Sequence, residues 1–141
     1  PALIPDDYLP NISTRLVLYK RIAQAQDKEA LNDIQVEMID RFGLLPDATK
    51  QLFIQAEVRL RAQAIGISEV DVGVSGGSVK FEATTPVPVN ALIGLLQSNP
   101  KEFKLAGSDT LRFIQELESG EARRNYIDTL MTQWEEACKS S

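Results

Sequence analysis

Apolar residues recur every three or four positions from residue 11 to residue 65, and from residue 67 they alternate. The first period predicts helices and the second strands, because side chains turn about 100° per residue in a helix and about 180° in a strand. Asn11 or Ser13 caps a first helix that runs to about Ala25, with Leu16, Tyr19, Ile22 and Ala23 at helical spacing. Asp27 caps a second helix, from about Lys28 to Phe42, and Gly43 suits the left-handed position beyond its end. Pro46 opens a third, with Asp47 in its first turn, that stops near Ile65 before Gly66. Val70, Val72 and Val74 then alternate, as do Val79, Phe81 and Ala83. The Ser75-Gly76-Gly77-Ser78 segment between them predicts a β-hairpin, ended by Pro86 and Pro88. A short helix follows from Val89 or Asn90 to about Gln97. Phe103 and Leu105, then Leu111 and Phe113, predict a second strand pair around Gly107. The last helix begins near Ser119 and carries Ile127, Leu130, Met131, Trp134 and Ala137 on one stripe.

The reading is therefore α+β, in the order αααββαββα: three N-terminal helices, then short antiparallel strands with an intervening helix and a C-terminal helix. Residues 1–10, with Pro1, Pro5, Pro10 and Asp6-Asp7, form an extended lead-in. A boundary near Gly66 would separate two lobes, but a shared core is expected, so residues 11–141 are taken as a single domain.

Composition removes several function classes. Of 141 residues, 43% are apolar and 25% charged, which excludes a disordered chain. The net charge of −5 suits a phosphate backbone poorly. There is no histidine, so Ser-His-Asp and Cys-His catalysis and histidine-based zinc sites are out. A single cysteine, Cys138, excludes an internal disulfide and points to a reducing, cytoplasmic compartment. No apolar run approaches the roughly 20 residues needed to cross a bilayer. The glycines at 73–77 sit between strands with no Lys-Ser/Thr after them, so they are a turn and not a phosphate cradle. No histidine is present to serve as a base, so Cys138 reads as an incidental thiol. No catalytic, cofactor-binding or metal-binding residue is assigned.

The second helix stands apart, since residues 27–42 alone carry a net −3. On a helical wheel Glu29, Asp33, Glu37 and Asp40 make one stripe, opposite Leu31, Ile34, Met38 and Phe42. Val36 lies beside the acids, and Arg41 is placed to pair with Glu37 or Asp40. Such a stripe is either a solvated face or a docking face for a basic partner.

Five phrases stand in order along the chain: Ile4-Pro5-Asp6-Asp7-Tyr8; Arg15-Leu16 with Tyr19-Lys20-Arg21-Ile22; Ile39-Asp40-Arg41-Phe42-Gly43-Leu44-Leu45-Pro46; Leu92-Ile93-Gly94-Leu95-Leu96-Gln97; and Leu111-Arg112-Phe113-Ile114-Gln115. Together they resemble the C-terminal domain of the bacterial transcription-repair coupling factor (Mfd) family. The hairpin segment 67–90 matches no such phrase. The resemblance implies a regulatory, protein-interaction domain of a DNA translocase in transcription-coupled repair. In that family the domain packs on a UvrB-like N-terminal module of the same chain, masks the surface that binds UvrA, and represses the motor until RNA polymerase is engaged. It also implies that the chain follows a motor in a longer polypeptide, which fits a start at Pro1 without methionine. Neither Gly-x-x-x-x-Gly-Lys-Ser/Thr nor Asp-Glu-x-His occurs, so no ATPase activity is expected; no cofactor is expected, and the acidic charge and short apolar runs make direct nucleic-acid and membrane contact unexpected. Glu37, Asp40, Asp33, Glu29, Arg41 and Val36 become the candidate partner interface. The alternative is a stand-alone nucleic-acid-binding module, for which Arg15, Lys20, Arg21, Arg59 and Arg61 offer the best basic face.

Overall fold

A computed structural model describes residues 2–140; Pro1 of the expected lead-in and Ser141 lie outside the described residues. The element order is the one that the periodicity predicts: α1 (Ile12–Gln24), α2 (Lys28–Phe42), α3 (Asp47–Ala64), β1 (Ile67–Gly73), β2 (Gly76–Phe81), α4 (Val89–Ser98), β3 (Phe103–Ala106), β4 (Thr110–Ile114) and α5 (Gly120–Ser140). Asn11 caps α1 by accepting from the Thr14 N–H, and Asp27 caps α2 by accepting from the Ala30 N–H. Both side chains satisfy donors that a helix start leaves without partners. Gly43 ends α2 at φ +93°, a conformation that a Cβ disfavours. The chain divides into two compact units within α3, between Leu60 and Arg61.

The first unit has a helical core. Leu18, Ile22 and Ala25 of α1 and its end, Leu31, Ile34 and Met38 of α2, and Phe53 and Ala56 of α3 form one buried cluster. The α1 stripe differs from the sequence expectation. Leu16 is 62% exposed and Ala23 is also exposed, while Leu18 is buried. Leu16, Val17 and Leu18 are consecutive, so periodicity allows more than one stripe, and packing selects Leu18, Ile22 and Ala25 at i, i+4 and i+7.

The lead-in joins this core. Ile4 and Leu9 are buried, and residues 6–8 form a turn. The Ile4 N–H donates to the Tyr19 hydroxyl at 2.7 Å, and the buried Thr49 hydroxyl donates to the Leu3 carbonyl at 3.0 Å. Tyr8 donates its hydroxyl to the Gly43 carbonyl at 2.8 Å, which fastens the lead-in to the end of α2. Burial of its surroundings raises the pKa of the Tyr8 phenol.

The second unit is a four-stranded antiparallel sheet of order β1-β2-β4-β3 backed by α5. Strand alternation sends Val79, Leu111 and Phe113 to the buried face. There Phe81 meets Trp134 edge to face at 5.3 Å, and Phe113 meets Tyr126 at 5.0 Å. Gly77 permits this packing, since a Cβ there would collide with the Asp71 carbonyl oxygen and crowd the Phe113 ring. Arg61 donates to Glu135 at 2.8 Å and to Asp128 at 2.6 Å, tying the end of α3 to α5. Among the described residues, no helix is long and apolar enough to cross a membrane.

Ile127, Leu130, Met131 and Trp134 form the buried stripe of α5, as expected, while Ala137 is half-buried. Trp134 is 1% exposed, yet its indole N–H finds no acceptor among the described residues. Trp134→Ala is therefore expected to cost about 3–5 kcal/mol through lost packing. Trp134→Phe should cost clearly less, because it discards a buried donor that has no hydrogen bond. Urea unfolding of both variants checks this; equal losses would show that the indole N–H is satisfied in solution.

Candidate functional site

Burial of Leu31, Ile34 and Met38 leaves the opposite side of α2 in solvent. Glu29, Asp33 and Asp40 are exposed there, and none forms an ion pair among the described residues. Glu29 also lies in the first turn, where the helix dipole favours an anion. Val36 is 53% exposed beside them.

Glu37 behaves differently. The sequence offered Arg41 as a local partner for Glu37 or Asp40; the structure pairs it with Glu37 and adds a partner from α1 that the sequence did not show. Arg21 of α1 grips both Glu37 carboxylate oxygens, at 2.7 and 3.2 Å. Arg41, one turn along α2, approaches the same carboxylate at 3.5 Å and lies over the Phe42 ring at 4.8 Å. The Arg21 hydrogen bonds, helped by the charges of Arg21 and Arg41, lower the Glu37 pKa, and the same contact raises that of Arg21. The six candidates thus share one helix: Glu29, Asp33 and Asp40 form no ion pair among the described residues, Val36 is exposed, and Glu37 and Arg41 lie against each other. Leu44, just past the helix end, was not a candidate in the sequence, although it is 85% exposed. An apolar residue directly after a helix-ending glycine was the available clue.

Four of the five cations of the basic face offered for nucleic acid are engaged in internal bonds. Arg15 donates to the Leu9 and Pro10 carbonyls at 2.7 and 3.1 Å. Arg59 donates to the Ile22 and Ala25 carbonyls at 3.3 and 3.1 Å, closing the end of α1. Arg21 and Arg61 are engaged with carboxylates as described. Of the five cations only Lys20 is outside these internal bonds. Among the described residues, no group of three or more His, Cys, Asp or Glu side chains could hold a metal ion.

Known proteins resemble this chain in sequence and in fold. The TRCF domain family model matches residues 1–92. The chain is 42% identical to the transcription-repair-coupling factor of Escherichia coli over 96% of its own length, and 40% identical to that of Haemophilus influenzae over 93%. It spans 12% and 11% of those two proteins' lengths. A crystal structure of the C-terminal domain of a transcription-repair coupling factor superposes with a TM-score of 0.76 at 21% identity, covering 99% of this chain and 90% of that one, which establishes the fold.

The Arg21–Glu37 pair carries a pH signature. A carboxylate whose folded pKa is depressed stabilises the fold above its unfolded pKa, about 4.3 for glutamate. That contribution is lost as pH falls through the lower folded value. Wild type is therefore expected to lose more stability between about pH 5 and pH 3 than Glu37→Gln, because the variant lacks this titration. Chemical denaturation at both pH values checks it; equal losses would mean that the pair does not persist in solution.

Proposed function

The chain belongs to the TRCF domain family of transcription-repair coupling factors, and on that premise we propose that it is a non-catalytic regulatory domain of a transcription-coupled repair translocase. In this reading residues 11–141 act as one domain in the bacterial cytoplasm. The outer face of α2 docks on a basic surface of a UvrB-like module in the same longer polypeptide. Docking masks the UvrA-binding surface and holds the motor repressed until RNA polymerase is engaged. The observation that carries the reading is the set of exposed carboxylates Glu29, Asp33 and Asp40, with no ion pair among the described residues, opposite the buried stripe of α2. Val36 and Leu44 add apolar contact at the edge of that face.

Charge complementarity orients such a contact, and like charges set against each other across it cost several kcal/mol. Asp33→Lys with Asp40→Lys reverses two exposed charges and leaves the core untouched. Stability should change by no more than about 0.5 kcal/mol per site. Glu37 is a poorer probe, because a lysine there would meet Arg21 and Arg41. In a full-length translocase carrying this chain, the double reversal is expected to raise both UvrA capture and basal ATPase activity. If deletion of the domain releases UvrA binding and the reversal does not, the domain masks through another face. The isolated chain is expected to show ATPase turnover at buffer background with or without duplex DNA. Turnover that survives repurification would overturn the non-catalytic reading.

A further inference from the structure

On the solvent face of the sheet, the register sets Asp71, Ser78, Arg112 and Lys104 in one row across β1, β2, β4 and β3. Arg112 and Lys104 stand directly opposite each other, an arrangement of like charges that destabilises an antiparallel pair. Both are exposed, and neither forms an ion pair among the described residues. Beside them opens a depression of about 500 Å³, lined by Ser75, Gly76, Ser78, Lys104, Arg112 and Ile114. Gly76 has φ +135° and sits against the Phe113 carbonyl, so backbone packing explains the glycine. Ile114, 60% exposed, supplies an apolar wall. Packing within the sheet gives no reason for two opposed cations on a chain of net charge −5.

We propose that this depression docks an acidic peptide segment of a protein partner, with carboxylates received by Arg112 and Lys104 and an apolar side chain resting on Ile114. The planar guanidinium fork matches a carboxylate in two parallel hydrogen bonds, and the neighbouring ammonium adds a point charge. A nucleic-acid backbone fits less well. It requires a continuous run of cations, whereas Asp71 shares the row of Arg112 and Lys104, and Glu69 faces Lys80 in the next row. The site lies on the second unit, and the inference is independent of the role of α2.

The test titrates the 141-residue chain at low salt with a short labelled peptide of mixed glutamate and leucine. Its glutamine-for-glutamate counterpart and a single-stranded DNA oligomer serve as alternatives. Amide NMR shifts are expected at Gly76, Ser78, Lys104, Arg112 and Ile114. Arg112→Glu with Lys104→Glu should weaken binding by about tenfold or more, and the glutamine peptide should not bind. Lys104→Gln should weaken binding while the unfolding midpoint holds or rises, since it relieves the opposed charges. Should the double reversal fail to fold, Lys104→Gln and Arg112→Gln carry the test. Shifts confined to other surfaces, equal affinity for the glutamine peptide, or insensitivity to these variants would overturn the proposal. Tighter binding of the DNA oligomer at the same residues would overturn it in favour of nucleic acid.

Discussion

Helix α2 carries one narrow apolar stripe, and burying Leu31, Ile34 and Met38 commits every other position on the helix. Full burial of side chains of this size is worth about 1.5–3 kcal/mol each, far more than any exposed ion pair on the same helix. Rotating α2 to bring its acids inward would forfeit that burial and desolvate charges without partners. Glu29, Asp33 and Asp40 therefore face solvent because of where the apolar residues must go. The caps fix the extent of the same face: Asp27 starts the helix and Gly43 ends it. The candidate docking surface is a by-product of core packing, and its acids are available to a partner for that reason.

The arginines show how an acidic chain uses scarce positive charge. Arg15 and Arg59 bind backbone carbonyls, while Arg21 and Arg61 bind carboxylates. Each satisfies acceptors inside the fold, and Arg21 and Arg61 do so through the rigid fork that lysine lacks. Arg59 supplies donors to carbonyls at the end of α1, where a helix runs out of its own. With these four engaged, Arg112 and Lys104, left in solvent and set opposite each other on the sheet, stand out by contrast. The sheet also dictates its own outer relief. Gly76 and Gly77 let β2 approach β1 and β4 where any Cβ would collide with backbone, so the outer surface is hollow where the inner one is filled by Phe113.

Element types and order were legible in the sequence because they depend on local facts. Side-chain period distinguishes helix from strand, capping residues mark Asn11 and Asp27, and the glycines at 43 and 66 mark positions of positive φ. The orientation of α2 was legible for the same reason, since four acids and three buried apolar residues fall on opposite sides of one short helix. Contacts between residues far apart in the chain decided the rest. Periodicity could not choose Leu18 over Leu16, because neighbouring apolar residues satisfy the same rule and packing separates them. Nor could it show Ile4 and Leu9 entering the core, Arg21 holding Glu37 across sixteen positions, or β2 pairing with β4 to oppose Arg112 and Lys104. A side chain's period is set within its own turn of helix or pair of strand residues. Its partners are set by loop closure and packing over the whole fold, and no local pattern carries that information.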